Sequence, residues 1–277
     1  MTGGPAAPGA AAPPAAAPIV ATSLKTYLDH ERTMRWAEAL VQRCGAIAES
    51  GAVAITVFPS FPSIPALVDL VAGTGIAVGA QNVSEFVGGA HTGEVTAQTL
   101  RQVGARAVEI GHAERRARFG ETDAVAAAKI ARAREQGLSP TLCIGETSLD
   151  PSTAIAQCVA QLEAALAGDP IDAPLVIGYE PVWAIGREAP APDAHVAEVA
   201  AGIAAWLDRE RPTAPVPVIY GGSAGRGVYT GLAGAVDGVF VGRFGHDPAA
   251  FADIVAEALE IGPRPRLTPG AGAGSGR

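Results

Sequence analysis

Lys25, His112 and Glu180 each stand just past the end of a short apolar run, and together they suit proton transfer beside a carbonyl. Glu180 is the candidate base that removes a carbon-bound proton. His112 would donate to the carbonyl oxygen as it becomes an enolate, and Lys25 would supply positive charge to substrate and transition state. Glu180 lies in the stretch GYEPVWAIG (178–186), where an apolar strand-like run delivers a carboxylate and an apolar loop follows. Surface loops rarely carry Val, Trp, Ala and Ile in succession without a use for them. A lid over the base is that use: an enediolate phosphate expels its phosphate if water lingers, so the loop protects the intermediate. Glycine turns at Gly221-Gly222-Ser223 and at Gly242-Arg243 expose backbone N–H groups that, with the Ser223 hydroxyl, can cradle a phosphate.

Taken singly, each of these residues has a plainer reading. Lys25 alone is a solvated surface charge, His112 a satisfied core histidine, and Glu180 a loop carboxylate. HAERR (112–116) by itself reads as a helix start with a salt-bridged face, and YGGS (220–223) is a generic turn. Cys143 in TLCIGE reads as a buried strand residue. The functional reading therefore needs a scaffold that brings all three to one place.

The order of elements supplies one. Apolar strand-like runs fall at 18–21, 53–58, 76–80, 107–110, 140–144, 175–179, 216–220 and 238–241. Between them lie Ala/Glu/Arg-rich segments suited to helix, at 31–50, 64–71, 96–103, 123–136, 153–167, 193–209, a poor short one near 228–233, and 248–259. Alternation with short connections predicts parallel strands buried on both faces. Eight such units in about 250 residues fit a closed (β/α)8 barrel, whose chemistry sits where the strands end. A doubly wound open sheet is the competing architecture, and the lack of G-x-G-x-x-G after the first strand lowers it. In the barrel, Ser23-Leu24-Lys25, Gln81-Asn82, His112 to Arg116, Glu180, Gly221 to Ser223 and Gly242-Arg243 converge on one rim.

Bulk properties set the outer limits. The chain has 277 residues, 48% of them apolar but only 5% aromatic, so Ala, Val, Leu and Ile must build the core. A net charge of -8 argues against nucleic acid or an anionic membrane as partner, yet leaves room for a locally positive site. Cys44, Cys143 and Cys158 are odd in number and lack zinc-ligand spacing, which predicts free thiols in a reducing, cytoplasmic compartment. No apolar run is long and uninterrupted enough to suggest a membrane span. Pro/Ala/Gly-rich stretches at 1–17 and 262–277 read as disordered tails around one folded domain at 18–261.

Several stretches in register are similar to the motifs of the triosephosphate isomerase family: AQNVSEFVGGAHTGEVTAQTL (80–100), EIGHAERRARFGETD (109–123), CIGET (143–147), GYEPVWAIG (178–186), YGGS (220–223) and DGVFVG (237–242). The resemblance spans nearly the whole folded region and implies an α/β fold of the (β/α)8 TIM barrel type. It implies catalytic positions for Lys25, His112 and Glu180, and a supporting carboxylate at Glu114 near the lysine. It puts Gly186, Ser223 and Gly242 at the phosphate of a small sugar-phosphate substrate, with no cofactor and no metal. The stretch 83–94 resembles that family's long loop that plugs into a neighbouring subunit, which implies a homodimer.

Departures from the family pattern fall around the pocket. The usual Asn-Trp-Lys reads Ser23-Leu24-Lys25, a valine after YGGS is Ala224, and the second glycine after the eighth strand is Arg243. The far hinge of the lid, REAPAP (187–192), is one residue shorter than usual. These changes leave the proton-transfer groups in place and alter the pocket walls around Ser23, Leu24, Ala224 and Arg243. The leading expectation is thus an aldose–ketose isomerase of triose phosphate. Its alternatives are an isomerase of a four-carbon ketose phosphate, a catalytically silent phosphate-binding paralogue and, more weakly, an aldolase using Lys25 as a Schiff base.

Overall fold

The computed structural model of the protein describes residues 17–187 and 190–264. Its strands are β1 (Ile19–Ser23), β2 (Ala54–Phe58), β3 (Ala77–Ala80), β4 (Ala107–Ile110), β5 (Ser139–Ile144), β6 (Val176–Tyr179), β7 (Val218–Gly222) and β8 (Gly238–Val241). Each pairs in parallel with the next, and β8 pairs back onto β1, so the sheet closes in sequence order. The open-sheet alternative is excluded by that last pairing. Around the barrel run α1 (His30–Glu49), α2 (Ile64–Leu70), α3 (Ala97–Gln102), α4 (Ala113–Phe119), α5 (Asp123–Glu135), α6 (Pro151–Ala165), α7 (Asp193–Glu210), α8 (Val228–Gly231) and α9 (Pro248–Ile261).

The period-two geometry of strands sorts the core into two layers. Ile19, Ala21, Phe58, Ala107, Cys143, Val176, Ile219 and Phe240 fill the inside of the barrel. Val20, Val57, Val108, Ile110, Leu142, Ile177, Val218 and Val239 belong to the outer layer, which includes the inward faces of the helices. Both faces are therefore apolar, which is why the strands read as continuous runs rather than alternating ones.

α1 shows how a helix is held on this wall. Asp29 caps it by accepting from the Arg32 N–H at 2.8 Å, and Trp36, Ala37, Leu40, Cys44 and Ala48 recur on one buried face. The Trp36 indole donates to the Gly245 carbonyl at 2.9 Å, so its burial leaves no polar atom unmatched. Leu40 is fully buried there, and Leu40→Ala would cost about 2–5 kcal/mol.

The observed elements agree with the expected ones to within a few residues at their ends. α4 is the exception, a short helix that HAERR offers only as a start and that buries no residue fully, so no apolar periodicity marks its length. All three cysteines are unpaired and buried. No helix among the described residues is long and apolar enough to cross a membrane. The tails expected at 1–17 and 262–277 lie almost wholly outside the described residues, and so does part of the shortened hinge, at 188 and 189.

Candidate active site

Ser23, Lys25, His112, Glu114, Glu180, Gly186, Ser223, Gly242 and Arg243 all line one cavity at the carboxyl end of the barrel. These are the residues that the sequence singled out for catalysis and phosphate binding, while Gln81 and Asn82, also expected on the rim, are not among those lining it. Leu24 and Ala224 are different. Both are 1% exposed and belong to the outer core layer, because the side chain after each inward-facing residue turns away from the cavity. Of the expected changes in the pocket wall, only Ser23 and Arg243 face the cavity.

Lys25 is the one non-glycine residue with positive φ among those described, at 48°. A left-handed lysine is strained and needs outside support. Gln81, from the end of β3, gives it by donating to the Lys25 carbonyl at 3.0 Å and to the Phe58 carbonyl at 2.9 Å. The turn aims the ammonium at Glu114 Oε1, 2.8 Å away. Burial alone would lower the lysine's pKa, but the bond to Glu114 and the charges of Glu180, Glu114 and Glu109 hold it above its ordinary value. Burial pushes the Glu114 carboxyl the other way, and Lys25, His112 and Arg118 bring it below the usual carboxylate range. Lys25 is therefore a fixed cation.

His112 caps α4. The Glu114 N–H donates to its Nδ1 at 3.1 Å, and an amide nitrogen can only donate, so Nδ1 carries the lone pair. In the neutral ring the proton is then on Nε2. That atom faces Glu180 Oε2 at 3.4 Å and Glu109 Oε1 at 3.8 Å. The turn is pinned from behind: Glu121 accepts from the Gly111 N–H at 2.8 Å, and Arg116 donates to the Gly111 carbonyl at 2.7 Å.

Glu180 follows β6, and its N–H donates to the Ile144 carbonyl at 2.8 Å. Two glycines make its seat possible. A Cβ on Gly145 would sit 1.8 Å from the Glu180 carbonyl oxygen, and one on Gly221 would sit 2.7 Å from its Oε1. The side chain is 9% exposed and its Oε2 has no hydrogen-bond partner among the described residues. A buried carboxylate oxygen without a donor is available to take a proton from something that enters the cavity.

The apolar loop after Glu180 is half tethered. Val182–Ala184 form a 3-10 turn, and the Trp183 indole donates to Glu146 Oε1 at 3.0 Å. The same oxygen also meets the Tyr179 hydroxyl at 3.2 Å and His195 Nε2 at 2.9 Å. Ile185 and Gly186 line the cavity. On the opposite rim, Ser223 Oγ donates to the Arg187 carbonyl at 2.7 Å, and the Arg243 guanidinium approaches the same oxygen at 3.4 Å. The Ser223 hydroxyl proton is thus committed to the loop, and its backbone N–H is the donor left for an anion.

The sequence reading passed over Glu109, which lies three residues before His112 inside a strand read as apolar. It is 3% exposed, and its Oε2 has no partner among the described residues. The available signal was a single acidic residue in a strand whose two faces must both be buried.

Comparisons with known proteins agree with this geometry. The family described as Triosephosphate isomerase matches residues 18–258. An L-erythrulose-1-phosphate isomerase of Pectobacterium atrosepticum is 41% identical over 87% of this chain and 96% of its own. A triosephosphate isomerase of Leifsonia xyli subsp. xyli is 40% identical over 86% of this chain and 95% of its own. An L-erythrulose-1-phosphate isomerase of Rhizobium etli is 36% identical over 86% and 91%. With a closed eight-stranded barrel and a match over most of its length, the chain belongs to the triosephosphate isomerase family.

Proposed function

We propose that this protein interconverts a small ketose phosphate with its isomer by moving a proton between neighbouring carbons through an enediol. The observation that carries this is the facing pair of Glu180 Oε2 and His112 Nε2, 3.4 Å apart, with the ring's other nitrogen occupied by the Glu114 N–H. A carbon acid lying across the pair meets a base at one atom and a donor for its carbonyl oxygen at the other. Lys25 adds fixed charge, while the rim of Gly186, Ser223, Gly242 and Arg243 holds the phosphate. An aldolase reading is disfavoured because a lysine ion-paired at 2.8 Å and held protonated is a poor Schiff-base nucleophile. The silent-paralogue reading is disfavoured by the intact trio.

Two substrates fit this chemistry. The family's own name points to the triose phosphates. A four-carbon ketose phosphate is favoured by Ser23, a small residue on the cavity wall where asparagine is usual, and by the relatives named for erythrulose 1-phosphate. The test is a coupled assay of the purified protein on glyceraldehyde 3-phosphate and on erythrulose 1-phosphate, side by side. Turnover of at least one is expected, and activity on neither overturns the isomerase reading.

The protein is further read as a homodimer of a reducing cytoplasm, a compartment supported by its unpaired buried thiols. The dimer reading is supported by the segment 83–94, whose Phe86 and Val87 are 40% and 68% exposed. Its tip from Val87 to Glu94 is exposed throughout, and Phe86 stacks on His91 with ring centroids 3.7 Å apart. Thr92→Arg should weaken self-association in sedimentation runs at micromolar protein. A fully active wild-type monomer there would refute the dimer.

A further inference from the structure

Inside the barrel, one strand position below the active-site rim, Glu109 has the surroundings of an apolar core residue. Ala107 precedes it on the same inward face, and Cys143 and Phe240 belong to the same interior layer. Its side chain is 4% exposed, closer to sealed than Glu180 at 9%. Ser23, on β1, is near enough for its hydroxyl to favour the charged form of the Glu109 carboxyl. Ser23 itself lines the cavity. Glu109 Oε1 stands 3.8 Å from His112 Nε2, and Oε2 has no partner among the described residues.

A packing role does not account for this arrangement. Leaving a buried polar atom unmatched costs about 1–3 kcal/mol, so a purely structural carboxyl would be fully bonded or replaced. Nor does the proton transfer itself use it. A second ionised carboxylate beneath a developing enolate would oppose the charge that His112 and Lys25 stabilise. Glu109 is compatible with the reaction only as the neutral acid. Burial raises its pKa, and the nearby Glu180 charge pushes in the same direction against His112, Ser23 and Lys25. As an acid it offers an O–H donor and an acceptor side by side with the Ser23 hydroxyl. That is a recognition surface for an alcohol.

We propose that Glu109 and Ser23 form a hydroxyl-binding floor that receives the terminal hydroxymethyl group of a four-carbon ketose phosphate and sets the preference for four carbons over three. The proposal rests on the four-carbon reading above. In a 2-ketotetrose 1-phosphate the carbon that gives up its proton to Glu180 also bears a CH2OH group, which a triose phosphate lacks. The phosphate is anchored at the ends of β7 and β8 and the carbonyl at His112. The extra group then extends into the barrel mouth, where its hydroxyl meets the Glu109 and Ser23 pair. The hydroxymethyl is a spectator: the proton moves from C3 to C2, the carbonyl from C2 to C3, and no bond to C4 changes. A triose would leave the floor's donor and acceptor unmatched, and a site built to bond a hydroxyl discriminates against the analogue without it.

The experiment measures kcat/KM on erythrulose 1-phosphate and glyceraldehyde 3-phosphate for wild type, Glu109→Leu, Glu109→Gln and Ser23→Ala. Wild-type turnover of the four-carbon substrate is expected, and its absence overturns the four-carbon reading and the floor together. Given that turnover, Glu109→Leu should lower the four-to-three-carbon ratio by about tenfold or more, the scale of one matched hydroxyl. Glu109→Gln, which keeps size and a donor, should restore most of the ratio, and Ser23→Ala should lower it in part. Equal losses on both substrates, or no loss, would overturn the floor and leave the four-carbon reading standing. Should Glu109→Leu fail to fold, the ratio in Ser23→Ala decides in the same way.

Discussion

Glu121 and Glu146 lie between the barrel wall and its helices, whereas Glu109 faces the barrel interior and Glu180 its mouth, and the two pairs are bonded differently. Glu121 accepts from Lys129 Nζ, from Arg115 Nε at 2.8 Å and from the Gly111 N–H at 2.8 Å. Glu146, fully buried, gathers Tyr179, Trp183 and His195 on one oxygen and the Cys158 thiol at 3.8 Å on the other. Inside the barrel, by contrast, Glu109 and Glu180 each leave an Oε2 unmatched among the described residues. Saturated carboxylates position what surrounds them, while open ones wait for a ligand. Glu121 fixes the strand end that aims His112, and Glu146 tethers the Trp183 side of the lid.

The sharpest way to break this contrast is at Glu180. Glu180→Gln keeps the size and removes the basicity, so turnover should fall about 10²–10⁴-fold, the scale of general base catalysis, with much less change in substrate affinity. Near-full turnover in the purified variant would sink the assignment of Glu180 as base.

Next in size is the saturated pair. The side chains of Glu121 and Lys129 are 2% and 5% exposed, and removing one partner strands a buried charge. Glu121→Ala should therefore destabilise the fold by about 3–5 kcal/mol, seen as a lower midpoint in urea unfolding. An unchanged midpoint would show that saturation is not what holds this carboxylate in place.

How much of this was legible beforehand follows from the kind of signal each part leaves. The eight strands announce themselves because their two buried faces make them continuous apolar runs. Lys25, His112 and Glu180 are legible because charged or titratable residues at strand ends are few and converge in a barrel. Glu109 is hidden by the same rule that reveals its strand, since one acid in the four residues of β4 does not interrupt an apolar run. α4 is legible only at its start, in HAERR, because AERRARF buries none of its residues fully. Leu24 was misjudged because sequence position cannot say which way a side chain turns at a strand's end. The left-handed backbone of Lys25 likewise has no local signature, as its support comes from Gln81, 56 residues away.

The smallest expected effect is a pH dependence of stability, and it tests the neutral form of Glu109 without any substrate. Its pKa in the fold lies above the ordinary 4.5 because of burial, with Glu180 adding to the rise and His112, Ser23 and Lys25 opposing it; the facing Cys143 is itself a buried, neutral thiol. In the unfolded chain the group loses its proton near 4.5, so above that pH the native state holds one proton more than the unfolded state. Stability from this group is thus complete below 4.5 and is lost as pH climbs through the folded value. One such proton gives a slope of at most about 1.4 kcal/mol per pH unit. Glu109→Gln cannot titrate, so its unfolding free energy should decline less with rising pH than that of the wild type. The two curves should diverge upward from the ordinary carboxylate range, with the variant gaining relative stability. Glu114 and Glu121, both lowered in the fold, contribute the opposite trend, but they are shared by both proteins and cancel in the difference. Urea unfolding of the pair across pH 5 to 8 reads this difference directly, taking ~5 and ~8 as limits on either side of neutrality. Parallel curves would mean that Glu109 is ionised in the fold, and the hydroxyl floor would then lack its donor.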